Sequence, residues 1–404
     1  MYRFRISLVC GWLCLAANAL AQTGQSSTPA QPAKNNWFDK FSLRGYAQFR
    51  YNRLFETNPD LKCEQCDRSI GKGQQFGFRR ARLVFSGNPH DRVFTYLQFD
   101  YSSDASSTGR HFLQVRDAYF DYYFDPKKDF RVRLGQSKVP YGFENMQSSS
   151  NRLPLDRADA LNSAAPNERD IGAFAMYTPK RAREIYKKLQ DDGLKHSGDY
   201  GMAAFGLYNG QSANKPELND NLHSVVRISY PFRIDNQIVE PGIQAYSGQF
   251  TLAADQVSSG TKTTLDRAYT DERVAASFVL FAKPIGILAE YNWGRSPAFD
   301  PATDSVSVKN LRGGFITISY RKQLPHGSVQ PFVRFQEYEG GKKHELDARH
   351  YQVRETEIGV EWQLNKAFEL TASYVISNRQ YQDFKTRNYD ESGRFLRLQA
   401  QFNY

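Results

Sequence analysis

The chain ends on RFLRLQAQFNY (residues 394–404). Leu396, Leu398, Ala400, Phe402 and Tyr404 fall on one side of an extended backbone, and Arg397, Gln399, Gln401 and Asn403 on the other. Such alternation marks a β-strand between two unlike environments, because successive side chains leave a strand on opposite faces. The same period of two appears at the other end of the chain. There Leu43, Gly45, Ala47, Phe49 and Tyr51 alternate with Arg44, Tyr46, Gln48, Arg50 and Asn52. It appears again where Phe368, Leu370, Ala372, Tyr374 and Ile376 alternate with Glu369, Thr371, Ser373, Val375 and Ser377.

Read through the whole chain, this period predicts about 16 strands, most near the roughly 9–11 residues that a tilted strand needs to cross a bilayer. Their connections alternate in length. Short links such as 88–92, 125–128, 231–236 and 282–284 separate long ones at 54–73, 102–111, 138–170, 209–221, 250–270, 295–308 and 379–393. An antiparallel barrel with tight turns at one rim and long loops at the other has this rhythm. Residues 179–198 break it: they are long and polar where a short turn is due, and Arg183 to Gln190 could form one or two helical turns.

Composition narrows the class. The 404 residues carry 53 Lys+Arg against 43 Asp+Glu, a formal charge of +10, and 14% aromatic residues. Beyond the first 21 residues no stretch is long and apolar enough for a membrane helix. Arg3 and Arg5, the apolar run Ile6 to Ala17, and Ala19-Leu20-Ala21 make residues 1–21 a signal peptide. Residues 22–40 read as a polar periplasmic linker and 41–404 as the barrel domain. The basic residues are spread singly, with no Lys/Arg run or recognition helix, which argues against nucleic acid.

Alternation alone does not separate a soluble sandwich from a membrane barrel, since only the identity of the apolar phase differs. Secretion, the number of strands and the terminal aromatic strand favour an all-β fold: a transmembrane antiparallel β-barrel with long extracellular loops, in the outer membrane of a Gram-negative bacterium. By parity the lumen then receives Arg44, Arg50, Arg80, Arg82, Arg131, Arg133, Arg227, Arg334 and Arg397. It also receives Asp100, Asp117, Asp121, Glu290, Glu357, Glu361 and Glu369. Either the arginines raise the local anion concentration, or these are solvated wall charges that keep the channel wet. With Asp100, Asp117 and Asp121 on strands between the arginines, separate positive and negative stripes are expected.

The motifs LRGYAQFRYN (43–52), FRRARLVFSG (78–87), YLQFDY (96–101), VRDAYFDYYF (115–124), RVRLGQSKVPYGFE (131–144) and NERDIG (167–172) resemble the phosphate-selective porin O and P family. The resemblance implies a sixteen-stranded homotrimeric anion porin whose third loop narrows the lumen. It implicates Arg80, Arg82, Arg131, Arg133 and Lys138 in lining the pore. The third long loop is Lys138 to Asp170 and includes Tyr141, Glu144, Arg152, Arg157 and Arg169. It holds four cations against five carboxylates, so it is not a purely basic filter.

No G-x-S-x-G, H-E-x-x-H, P-loop or G-x-G-x-x-G motif is present, and no spacing singles out a catalytic pair. No cofactor is expected. Cys63 and Cys66 lie in the first long loop. A local disulfide is the expected state in an oxidising compartment, a redox-active pair would lack a βαβ setting, and a metal site would lack further ligands. The sequence thus points to a channel for small anionic or polar solutes, surrounded by outer-membrane lipids. The alternative is an outer-membrane scaffold with a blocked lumen, acting as an enzyme or surface-binding protein.

Overall fold

A computed structural model describes residues 36–404 except 64, 66, 68, 72–75, 103–111 and 166–167. The expected signal peptide, and the linker as far as residue 35, lie outside the described residues. After a 3-10 turn at Trp37–Lys40, the chain runs as β1 (Phe41–Leu54), β2 (Phe76–His90), β3 (Val93–Ser102), β4 (Phe112–Tyr123), β5 (Phe130–Lys138) and β6 (Arg169–Tyr177). It continues as β7 (Ala203–Tyr208), β8 (His223–Ser229, resumed at Phe232–Ile234), β9 (Gln237–Thr251), β10 (Ala268–Leu280) and β11 (Ile285–Asp300). The last five are β12 (Ser305–Tyr320, resumed at Lys322–Gln323), β13 (Ser328–Gly341), β14 (His350–Gln363), β15 (Phe368–Gln382) and β16 (Tyr389–Asn403).

Each strand pairs antiparallel with the next, and β16 returns to β1 with Tyr46 opposite Asn403 and Tyr51 opposite Leu398. The result is a closed 16-strand barrel. Closure leaves no unpaired edge, as a sheet in hydrocarbon requires. The apolar phase faces outward: Leu43, Phe205, Ile228, Ile318, Ile358 and Phe402 are all exposed on the isolated chain, where lipid would cover them. Aromatic pairs mark the rim where β1 begins and β16 ends, Phe41 stacking on Phe85 at 4.9 Å and Phe368 lying 4.6 Å from Phe402. Such girdles sit at the membrane–water boundary.

Two expectations about connections change. The links at 295–308 and 379–393 are mostly strand: β11 and β12 pair as far as Asp300 opposite Ser305, and β15 and β16 as far as Tyr381 opposite Tyr389. Outward residues here are Arg295, Asn310, Arg312, Gln380 and Asp390, so the ladder outlasts the hydropathy contrast. The segment after β6 contains a longer helix than expected, α3 (Lys180–Asp191).

The seam between first and last strands is tight at Gly45. Its N–H donates to the Tyr404 carbonyl at 2.7 Å, and an added Cβ would lie 2.2 Å from the Arg82 carbonyl oxygen and 2.5 Å from the Tyr404 ring. Gly45→Val is expected to destabilise the barrel by about 1–3 kcal/mol through overpacking. A lowered urea midpoint, read from the heat-modifiable gel shift of refolded protein, checks this.

Candidate functional site

The third loop, in its described residues 139–165, lies inside the barrel and carries two single-turn helices, α1 (Phe143–Met146) and α2 (Asp159–Asn162). Wall groups on several sides fix it. Glu290 on β11 accepts the N–H groups of Phe143 at 2.8 Å and Glu144 at 3.0 Å, satisfying donors that the first turn of α1 leaves free. The Glu144 carboxylate accepts the Ala158 N–H at 2.8 Å and pairs with Arg334 of β13 at 3.3 Å. Asp159 sits between Lys342 at 2.5 Å and Arg379 of β15 at 2.9 Å. Arg273 of β10 donates to the Ser163 hydroxyl at 2.7 Å. On the facing side, Gln48 of β1 donates to the Ser149 carbonyl at 2.9 Å and Gln401 of β16 to the Ser150 carbonyl at 3.2 Å.

The basic wall is β1 to β6, but separate stripes are not what it shows. Cross-strand register places Arg82 opposite Asp100 and Arg133 opposite Asp121. Arg82 pairs with Asp100 at 3.0 Å, and Arg133 makes two bonds to Asp121 at 2.7 and 2.9 Å. Arg131 reaches Asp121 at 3.3 Å and Asp199 at 3.1 Å. Arg50 is held by Asp67 and Asp156, and Arg397 also bonds Asp156. Adjacent opposite charges are pulled together because both sit in a poorly solvated lumen.

The remaining expected residues divide by role. Lys138 ends β5 and donates to the Met146 and Gln147 carbonyls at 2.9 and 2.6 Å. Arg169 opens β6, outside the loop proper, and pairs with Asp117 at 2.9 Å and Glu168 at 2.8 Å. Arg157 bonds Asn145, Asn162 and Glu168. Tyr141 is buried against the Tyr246 ring at 4.8 Å. Tyr141, Glu144 and Arg157 therefore hold the loop's shape. Arg44 is exposed at the terminal rim, its guanidinium 6.0 Å from the Tyr96 ring.

Arg80 and Arg152 stand apart. Both are buried. The hydrogen bond that Arg80 makes is a long one to Gln48 Oε1, 3.4 Å; the cations Arg79, Arg82 and Arg152 lie near it, and Asp100, which is bonded to Arg82, is the nearby acid. Arg152 has Nε and Nη1 buried with no hydrogen-bond partner. Burial pulls its pKa below the usual guanidinium value despite Glu144, Glu168 and Asp156 nearby. Guanidinium donors not taken up by a carboxylate are able to bond an anion's oxygens.

Several participants were missed by strict alternation. Arg79 and Arg116 enter the lumen beside Arg80 and Asp117 because β-bulges lie between Gln48 and Phe49 and between Gln98 and Phe99. Arg273 lies within its expected strand on the lumen parity without having been singled out, and Arg379 continues the parity of its strand one residue past the boundary expected for it. Lys342 and Lys343 come from an inward-turned loop that has no periodic signal. Cys63 is disulfide-bonded and packs on Leu61, Ile70, Val375 and Phe395, while Cys66 lies outside the described residues. Among the described residues no group of His, Cys, Asp and Glu is placed to hold a metal.

The loop's acids predict its pH response. Burial raises the pKa of Asp156 and of Glu168, but Arg397 and Arg50 at the first and Arg157 and Arg169 at the second hold both well below the ordinary carboxylate range. A depressed pKa adds stability above the unfolded-state value of about 4, which is lost as pH falls through the folded-state value. The loop should thus stay docked from pH 8 to 5 and release only below about pH 4. Conductance recorded across that range checks this; a step between pH 6 and 5 would contradict it.

The comparisons with known proteins agree on the architecture. The outer-membrane channel DcaP of Acinetobacter baumannii aligns with a TM-score of 0.54 at 14% identity, covering 90% of this chain and 97% of that one. OmpF of Salmonella typhi in complex with daunomycin aligns at 0.53 and 13%, covering 90% and 97%. An anion-selective porin from Comamonas acidovorans aligns at 0.51 and 9%, covering 90% and 99%. No curated protein matches the sequence significantly. The profile of phosphate-selective porin O and P matches residues 58–404, and with the closed barrel and its inward third loop this places the chain in that family of channels of the Gram-negative outer membrane.

Proposed function

We propose that this passive diffusion channel favours small anions and that Arg80 and Arg152 form its selective centre. The observation that carries this reading is the pair of buried guanidinium groups that make no close ion pair among the described residues, with carboxylates nearby but not bonded to them, while the neighbouring arginines are paired to acids. The family's name and the anion-selective relative support the sign. Carboxylates on the loop and wall neutralise most other cations, so the preference is modest, with phosphate-like solutes among those favoured. Screening with a Debye length of about 10 Å at 0.1 M salt weakens it further as salt rises. Passage involves no chemical step, and a catalytic or blocked-lumen scaffold would show no current.

We further propose that the mature chain begins at Gln22, that Cys63 pairs with Cys66, and that the protein assembles as a homotrimer in the lipid bilayer. The apolar outward face of β1 and β2, from Phe41 and Phe85 to Phe49 and Phe78, offers a continuous surface for lipid or a neighbouring copy. Chemical crosslinking in intact membranes is expected to give a band at three times the monomer mass.

Selectivity has a direct test. Reversal potentials across a KCl gradient should show weak anion preference for the wild type. Replacing both Arg80→Gln and Arg152→Gln should lower the anion-to-cation permeability ratio by roughly threefold, since fixed charge sets the local ion concentration. Arg82→Gln should lower it as well, because it frees the Asp100 carboxylate to repel anions. A strongly cation-selective wild type would overturn the anion reading.

A further inference from the structure

At the rim where β1 begins and β16 ends, most strands reverse within a few residues, but β6 and β7 are joined by 178–202. Here the sequence favours a helix. Pro179 precedes the first turn, where its fixed φ and missing N–H are tolerated. Ala182, Ile185, Tyr186 and Leu189 recur at helical spacing, and Gly193, at φ +63°, ends the segment in a conformation suited to glycine. The apolar stripe is not turned to solvent. Ala182, Tyr186, Leu189 and Leu194 are buried with Ile238, Val279 and Phe281 of the barrel and with Phe143 of the third loop.

The segment is fastened at widely separated points of the rim. Arg183 bonds Asp129 in the β4–β5 turn at 2.6 Å. Asp192 bonds Lys283 in the β10–β11 turn at 2.6 Å, and its carbonyl accepts from Arg321 at 2.7 Å. Lys195 then reaches Glu361 of β14 at 2.5 Å and Glu369 of β15 at 3.8 Å. Asp199 returns to Arg131 of β5 at 3.1 Å. These points lie on different sides of a closed barrel, so the chain between them crosses its mouth. It also meets the third loop from below: Gln147 donates to the Lys195 carbonyl at 2.7 Å and Asn151 to the His196 carbonyl at 2.8 Å.

We propose that residues 179–200 form a floor across the periplasmic mouth, a second constriction in series with the third loop. A solute leaving Arg80 and Arg152 would pass between the edge of this floor, Lys195 to Tyr200, and the wall that carries Arg44, Tyr96 and Tyr119. Arg133, 3.9 Å from the Tyr119 ring centre and 5.4 Å from that of Tyr200, marks where floor meets wall. In this arrangement the exclusion limit belongs to both elements, and Lys195 is the floor's charged residue beside the passage, with Glu361 and Glu369 on its far side. The inference rests on the chain conducting, which wild-type recordings establish separately.

Two variants test it in planar bilayers. Replacing residues 181–197 by a short Gly-containing turn should raise single-channel conductance by about twofold, as expected when one of two resistances in series is removed. Lys195→Cys, which keeps the anchors at Arg183, Asp192 and Asp199, should lose most of its current on reaction with a bulky negatively charged methanethiosulfonate. Wild-type protein under the same reagent controls for Cys63. Unchanged conductance in a folded deletion variant, or full current in a Lys195→Cys channel shown by mass spectrometry to be modified, would overturn the proposal while leaving the wild-type channel in place. A deletion variant that fails to fold leaves the decision to the cysteine variant. A wild type that never conducts would remove the channel reading itself.

Discussion

A guanidinium facing into a closed barrel has three possible neighbours: water, another wall side chain, or a chain threaded through the lumen. Its charge persists at any workable pH, so wherever water is displaced a carboxylate or a carbonyl must take its place. The interior of this protein follows from that constraint. The third loop enters carrying Glu144, Asp156, Asp159 and Glu168, and each meets a cation from the barrel wall: Arg334, Arg397, Arg379 and Arg116. The loop stays in the lumen because withdrawing it would strand charges on both sides. Removing one partner of a buried pair costs about 3–5 kcal/mol, and the contacts are distributed round the ring.

The same constraint explains which parts of the fold were legible. All the strands could be read from alternation, because lipid outside and charge inside impose a contrast on every second residue. The contrast fails where a strand rises beyond the hydrocarbon. Arg295, Asn310 and Arg312 on one pair, and Gln380 and Asp390 on the other, are polar on the outward face, and there hydrogen-bonded ladder was mistaken for loop. It also fails at a bulge, which sends two neighbours to the same side and hides Arg79 and Arg116 from any parity rule.

The charge map was legible in its members and not in its pairing. Alternation assigns Arg50, Arg82, Arg133, Arg334 and Arg397 to the lumen, where they are found. It does not reveal that Arg397 meets Asp156 across 241 residues, or Arg379 meets Asp159 across 220. A count of the third loop's charges describes it as slightly acidic, which argues against an anion filter. The structure changes that inference, because the acids are already engaged in fixing the loop, and a carboxylate bonded to a wall arginine repels a passing anion far less than a free one.

What remains for solutes is therefore a residual, set by the cations that the loop does not match. Arg80 is surrounded by Arg79, Arg82 and Arg152, and Arg79 and Arg82 have carboxylates in range while Arg80 has an amide. Had the loop carried an acid bonded to Arg152, about half of that unmatched charge would be offset and the preference for anions would be weaker. Had it carried fewer acids, the loop would lose anchors and the passage would widen. Selectivity and aperture are thus coupled through one set of ion pairs, and a substitution among Asp156, Asp159 or Glu168 changes both. Arg80 and Arg152 are the positions where charge can be altered with the anchoring carboxylates left in place.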